Sequence, residues 1–145
     1  MFSVRVVTPL LLVVAVLAGS PLAVSFASAQ EKENPIVGQV KAAVKDPARP
    51  FTLIVRLKVK EGAGVKLEAA FAKARKATRQ EKGDRAYDLN RDTKTPTQYL
   101  VYERWQHLAA LETHLKSAPI ITLLTELGDF LAAPPEVSIL VPAGD

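Results

Sequence analysis

The chain of 145 residues contains no cysteine, one methionine, one tryptophan and two histidines. Each shortage closes a class of chemistry. Without cysteine there is no disulfide staple, no thiol nucleophile and no residue for an acyl-cysteine lipid anchor. The lack of thiols also suits an oxidising compartment. The two histidines, His107 and His114, stand seven residues apart with no cysteine and no acidic run beside them, which does not make a metal-ligand set. No glycine-rich phosphate loop follows a strand, since Gly62-Ala63-Gly64 reads as a turn, and no G-x-S-x-G nucleophile motif occurs. The formal net charge is only +4, too weak to argue for nucleic acid as a partner.

What is present is a globular balance, 48% hydrophobic and 23% charged residues, with apolar weight at the front of the chain. Residues 1–29 have the layout of an export signal. Arg5 supplies a short positive region, Val6 to Phe26 is mostly apolar, and Ala27-Ser28-Ala29 offers a small-x-small cleavage site with Gln30 as the new N-terminus. Cleavage would leave a mature chain with no membrane attachment, periplasmic or secreted in a bacterium. An uncleaved N-terminal membrane anchor is the alternative, because the apolar run approaches the roughly 20 residues that span a bilayer.

Residues 30–50 read as a polar linker with room for a short helix between Ile36 and Lys45, and a compact domain is expected over 51–142. Phe51, Leu53, Val55, Leu57 and Val59 alternate with polar residues, as in a half-buried strand. Leu67, Ala70, Phe71, Ala74, Ala77 and Thr78 then recur at helical spacing within 65–80, and Gly83 stops the helix. Strands are expected over Asp84–Asn90 and Thr97–Trp105, joined by a loop of about six residues. A helix from His107 to Lys116 and another over 120–132, with Ser117 as a plausible cap, precede a last strand through Val137, Ile139 and Val141. The order β-α-β-β-α-(α)-β is that of a ferredoxin-like α+β fold, an antiparallel sheet with helices on one face. Ile54, Leu100, Tyr102 and Leu140 would occupy the face that the helices leave open, so a homodimer stacked sheet on sheet is expected.

The one tryptophan and both histidines fall between Trp105 and His114. His114 lies three residues after Leu111, beside the apolar stripe, and reads either as a proton acceptor facing a pocket or as a hydrogen-bonded residue at the helix edge. Trp105, Glu103 and Tyr99 share one strand face. Trp105 either packs the core or lines a pocket for an aromatic ring. Glu103 requires a partner if buried, with Arg56 and Arg104 as candidates, and reads as a structural ion pair or a pocket carboxyl. Tyr87 and Tyr99 read as a cross-strand pair or as phenol donors to a ligand. His107 reads as a helix-start residue.

Three runs, Glu81-Lys82-Gly83-Asp84-Arg85-Ala86-Tyr87, Tyr99-Leu100-Val101-Tyr102-Glu103-Arg104-Trp105 and Ala110-Leu111-Glu112-Thr113-His114-Leu115-Lys116-Ser117, occur in order. Together they resemble the antibiotic biosynthesis monooxygenase domain, a family that includes quinol monooxygenases, from Phe51 to about Val141. The resemblance implies a dimeric α+β barrel with one pocket per subunit between helices and sheet. It also implies oxidation of an electron-rich phenol or quinol with dioxygen as co-substrate and no metal or organic cofactor. On this reading His114 is catalytic, and Trp105, Tyr87, Tyr99 and Glu103 bind a small aromatic substrate. The alternative is a non-catalytic ligand-binding or interaction dimer of the same fold. Haem-degrading relatives carry Asn, Trp and His where this chain aligns Val55, His114 and Leu124, which argues against haem. A branch acting on a small signalling sugar is compatible with the residues.

Overall fold

The computed structural model describes residues 33–144, so the expected export signal lies outside the described residues. The elements are α1 (Pro35–Ala43), β1 (Phe51–Lys58), α2 (Gly64–Thr78), β2 (Asp84–Arg91), β3 (Gln98–Trp105), α3 (Leu108–Leu115), α4 (Ala118–Phe130) and β4 (Glu136–Leu140). The strands form one antiparallel sheet in the order β2-β3-β1-β4, the ferredoxin-like arrangement. No helix among the described residues is long and apolar enough to cross a membrane.

Strand parity builds the two faces. Phe51, Leu53, Val55 and Leu57 of β1 and Tyr99, Val101, Glu103 and Trp105 of β3 are buried on the helix side. Ile54 pairs with Tyr102 and Thr52 with Leu140 on the other side, where Tyr102 and Leu140 are exposed as expected for an open face.

The segment read as a linker contains α1, capped by the Asn34 side chain accepting from the Ile36 N–H. Val37 and Val40 of this helix, with the following Val44, are buried against Phe51, Leu53, Trp105, Leu108 and Leu111. Each such side chain contributes about 1.5–3 kcal/mol relative to exposure, so the packed unit reaches back before Phe51. A second cluster joins Val55, Leu57, Phe71, Ala74, Tyr87, Tyr99, Val101, Ile120 and Leu123. Leu115 and Val137 pack against both clusters.

Two local features aim side chains. Gly83 has φ +94°, and a Cβ there would lie 2.6 Å from the Ala110 Cβ. Only glycine lets this turn press against α3, and the Gly83 carbonyl accepts from the N–H of Gln106, between β3 and α3, at 3.0 Å. A bulge between Asp84 and Ala86 then shifts the register of β2. Because of it Asp84 sits opposite Trp105 and Tyr87 opposite Glu103, so both turn toward the helices despite unlike parity. At the far end, Ser117 holds the N-cap position of α4 but its side chain makes no capping bond.

Candidate active site

A partly open cavity of about 260 Å³ lies between the sheet and helices α1, α2, α3 and α4. Its wall is mostly aliphatic, and its polar side chains are Gln39, Tyr87, Glu103 and His114. A wider concavity of about 430 Å³ at the hairpin end, bordered by Arg56, Lys58, Arg91 and Glu136, is open and charged. The chemistry-bearing groups gather at the smaller, apolar one.

His114 follows the Leu108–Leu111 stripe of α3 onto its buried side and is 1% exposed. Its ring packs 4.6 Å from Trp105 and 4.9 Å, edge to face, from Tyr87, whose own ring stacks on Phe71 at 4.7 Å. Nδ1 of His114 meets Oε2 of Glu81 at 2.8 Å. Burial lowers the histidine's pKa, and Glu81 and then Asp84 oppose the shift without reversing it. The ring is therefore neutral near pH 7, and the contact is a hydrogen bond from its Nδ1–H rather than an ion pair.

Glu103 is buried on β3 and accepts from Trp105 Nε1–H at 3.0 Å. Loss of water pushes its carboxyl up to about 7; the indole bond opposes this and the Asp84 charge adds to it. Asp84, with Oδ1 buried and without a hydrogen-bond partner, is itself raised, chiefly by burial. Burial likewise drives the Tyr87 phenol far above its ordinary range, so it keeps its proton. Two carboxyl groups, Glu81 and Asp84, thus act on one neutral imidazole, and Glu103 lines the same cavity, an arrangement suited to holding and moving protons. Among the described residues no group of three or more His, Cys, Asp or Glu is placed to hold a metal ion.

The profile of the antibiotic biosynthesis monooxygenase family matches residues 50–122. The chain belongs to this family. Its fold is shared by Rv0793 from Mycobacterium tuberculosis, at 27% identity and TM-score 0.61, over 66% of this chain and 97% of that one. PA3566 from Pseudomonas aeruginosa is similar at 23% identity and TM-score 0.62, over 68% and 99%. A candidate antibiotic biosynthesis monooxygenase from Nitrosomonas europaea is similar at 20% and 0.63, over 67% and 93%. No curated protein matches the chain.

Within this antibiotic biosynthesis monooxygenase fold, the residues singled out from sequence divide. His114, Tyr87 and Glu103 converge on the cavity wall. Trp105 stands behind the wall, fully buried, holding Glu103 through its N–H and His114 through its ring. Tyr99 points away to the α2 end, where its hydroxyl donates to Glu68 Oε1 at 2.8 Å beneath Gly64. It pairs across the hairpin with Arg91, not with Tyr87, which faces Glu103 four rungs further along the ladder. Arg56 and Arg104 do not reach Glu103: even parity puts both on the open face, where Arg56 donates to Ser138 at 3.1 Å. His107 caps α3, its Nδ1 accepting from the Ala110 N–H at 3.1 Å. Glu81 and Asp84 were missed as site residues because they lie in a turn and before a bulge. The signal was their place in the Glu81-x-Gly83-Asp84 run.

Proposed function

We propose that the protein is a cofactor-independent monooxygenase of a compact quinol-like phenol, with dioxygen as co-substrate. The observation that carries this is an apolar cavity whose few polar groups are a neutral histidine, a protonatable carboxyl and a phenol. An aromatic ring fits among the aliphatic walls, and about 260 Å³ is small beside the roughly 300–1,000 Å³ of drug-sized ligand sites, which favours one or two fused rings. Tyr87 and Glu103, whose carboxyl keeps its proton below about pH 7, orient the substrate by hydrogen bonds, with Trp105 and Tyr99 supporting the fold around it. His114 takes the phenolic proton, and the electron pair stays on oxygen. The electron-rich phenolate gives an electron to dioxygen, and the resulting radicals join at a ring carbon. One oxygen atom remains there as a carbonyl, and the other leaves as water with the ring hydrogen and the phenolic hydrogen.

The same reading makes the active form a homodimer, supported by the open sheet face with Ile54, Leu100, Tyr102 and Leu140. It also makes the protein exported, supported by the pattern of residues 1–29 alone. Oxygen uptake by the purified protein with a panel of hydroquinones tests the activity. Uptake that tracks one class of quinol and vanishes in His114→Ala is the expected result. Tight binding of an aromatic with no uptake would replace the enzyme reading by a ligand-binding dimer. A monomer by sedimentation at micromolar concentration would remove the dimer, and a secreted form that does not begin at Gln30 would remove the cleavage site.

A further inference from the structure

The two histidines of this chain make hydrogen bonds that demand opposite tautomers. His107 accepts a backbone N–H at Nδ1, so its own proton sits on Nε2. His114 presents the same atom, Nδ1, to a carboxylate oxygen of Glu81, which can only accept. Between an imidazole and a carboxylate the proton resides on the ring nitrogen. His114 therefore carries Nδ1–H, and its Nε2 has no hydrogen-bond partner among the described residues of a site whose wall the ring forms.

We propose that Glu81 is the positioning residue of the site, fixing His114 in the Nδ1–H tautomer so that a bare Nε2 faces the cavity as proton acceptor. The turn that carries Glu81 is built for this. The Glu81 N–H bonds to the Thr78 carbonyl at 2.9 Å, and Gly83 allows the chain to lie directly on α3. The Glu81 side chain is 18% exposed, whereas that of His114 is 2% exposed. With Nδ1 taken by the carboxylate, Nε2 is the ring nitrogen left for the cavity. When a substrate O–H bond breaks, an N–H bond forms at Nε2 and the electron pair stays on the substrate oxygen. The new imidazolium then lies against the Glu81 charge, with the Asp84 carboxyl and the Tyr87 phenol the other titratable groups beside it. A carboxylate behind an imidazole performs these two tasks, tautomer selection and cation stabilisation, wherever the pair occurs.

The proton-transfer role rests on the oxygenase reading, while the tautomer stands apart from it. The test uses the full chain with ¹⁵N-labelled histidine and long-range ¹H–¹⁵N correlation spectra of the two rings. His114 is expected with protonated Nδ1 and bare Nε2, and His107 with the reverse. Glu81→Ala should move His114 toward the Nε2–H form while His107 stays unchanged. With an accepted hydroquinone, Glu81→Ala should lower kcat about 10- to 100-fold with KM held. Glu81→Gln, which keeps an acceptor oxygen without charge, should keep the tautomer and recover only part of the rate. An Nε2–H His114 in the unmodified protein overturns the proposal whatever the activity, as does a Glu81→Ala spectrum identical to the parent. Absence of oxygen uptake with a bare Nε2 in place sinks the oxygenase reading and leaves the tautomer assignment standing.

Discussion

His107 and His114 bracket the same eight-residue helix, α3, and their fates are opposite. His107 stands at the solvent-reached N-terminus, where its ring nitrogen replaces a missing helical carbonyl. His114 ends the last turn, enclosed by two aromatic rings and tied to a carboxylate from another segment. The difference is supplied by what each one meets: a backbone N–H at one end, and Glu81, Trp105 and Tyr87 at the other. A residue type carries chemistry only with its partners, and here the partners come from β2, β3 and the turn between α2 and β2.

The contrast is sharpest in activity. His114→Ala should reduce oxygen uptake with an accepted hydroquinone by about 10²- to 10⁴-fold, whereas His107→Ala should leave it within about twofold. Equal losses in the two variants would end the distinction. Next in size is Trp105→Ala, which removes a fully buried indole and, among the described residues, the only side-chain donor to Glu103. Urea unfolding should show a loss of about 3–5 kcal/mol, far beyond any change at the His107 end.

Glu103 sharpens the comparison through pH. Its carboxyl is raised from 4.5 to about 7 in the folded chain, so the folded state holds a proton that the unfolded state has released. The stability it contributes is complete below about pH 4.5 and is lost as pH rises toward 7. Glu103→Gln lacks this loss. Measured by denaturant unfolding, the variant should match the parent near pH 4.5 and exceed it by up to about 3 kcal/mol at pH 8. A difference independent of pH would remove the protonated-carboxyl account. The His114 shift runs the other way, since its lowered pKa favours folding as pH rises toward 6.5, but it is common to both proteins and cancels in the difference. The smallest effect belongs to the cap: His107→Ala should cost about 0.5–2 kcal/mol in thermal or denaturant unfolding with no change in pH profile of activity.

Much of the frame was legible from the letters. The alternation in β1 and β3 has period 2, so parity alone assigned Phe51, Leu53, Val55 and Leu57 to the helix side and Ile54, Tyr102 and Leu140 to the open side. The stripe through Leu108 and Leu111 likewise carried His114 inward. Parity failed wherever it was interrupted or where register was needed. The bulge at Asp84 turns that acid toward His114, and no periodicity in the sequence marks it. The offset of the hairpin places Tyr87 beside Glu103 and Tyr99 beside Arg91, which local pattern leaves undetermined. The segment of α1 was legible as a linker with a short helix, but Val37 and Val40 of that helix and Val44 after it become core only against Trp105 and Leu111.

By itself, then, the sequence decided the order and facing of the strands, the absence of thiol chemistry and the family, because these depend on residue type and short-range period. The tertiary structure alone decided that Glu81, 33 positions from His114, would meet its Nδ1. It also decided that Trp105 Nε1 rather than an arginine would satisfy Glu103. Proton affinity and tautomer are set by burial and by hydrogen-bond partners drawn from distant segments, and those exist only once the sheet and helices have closed around them.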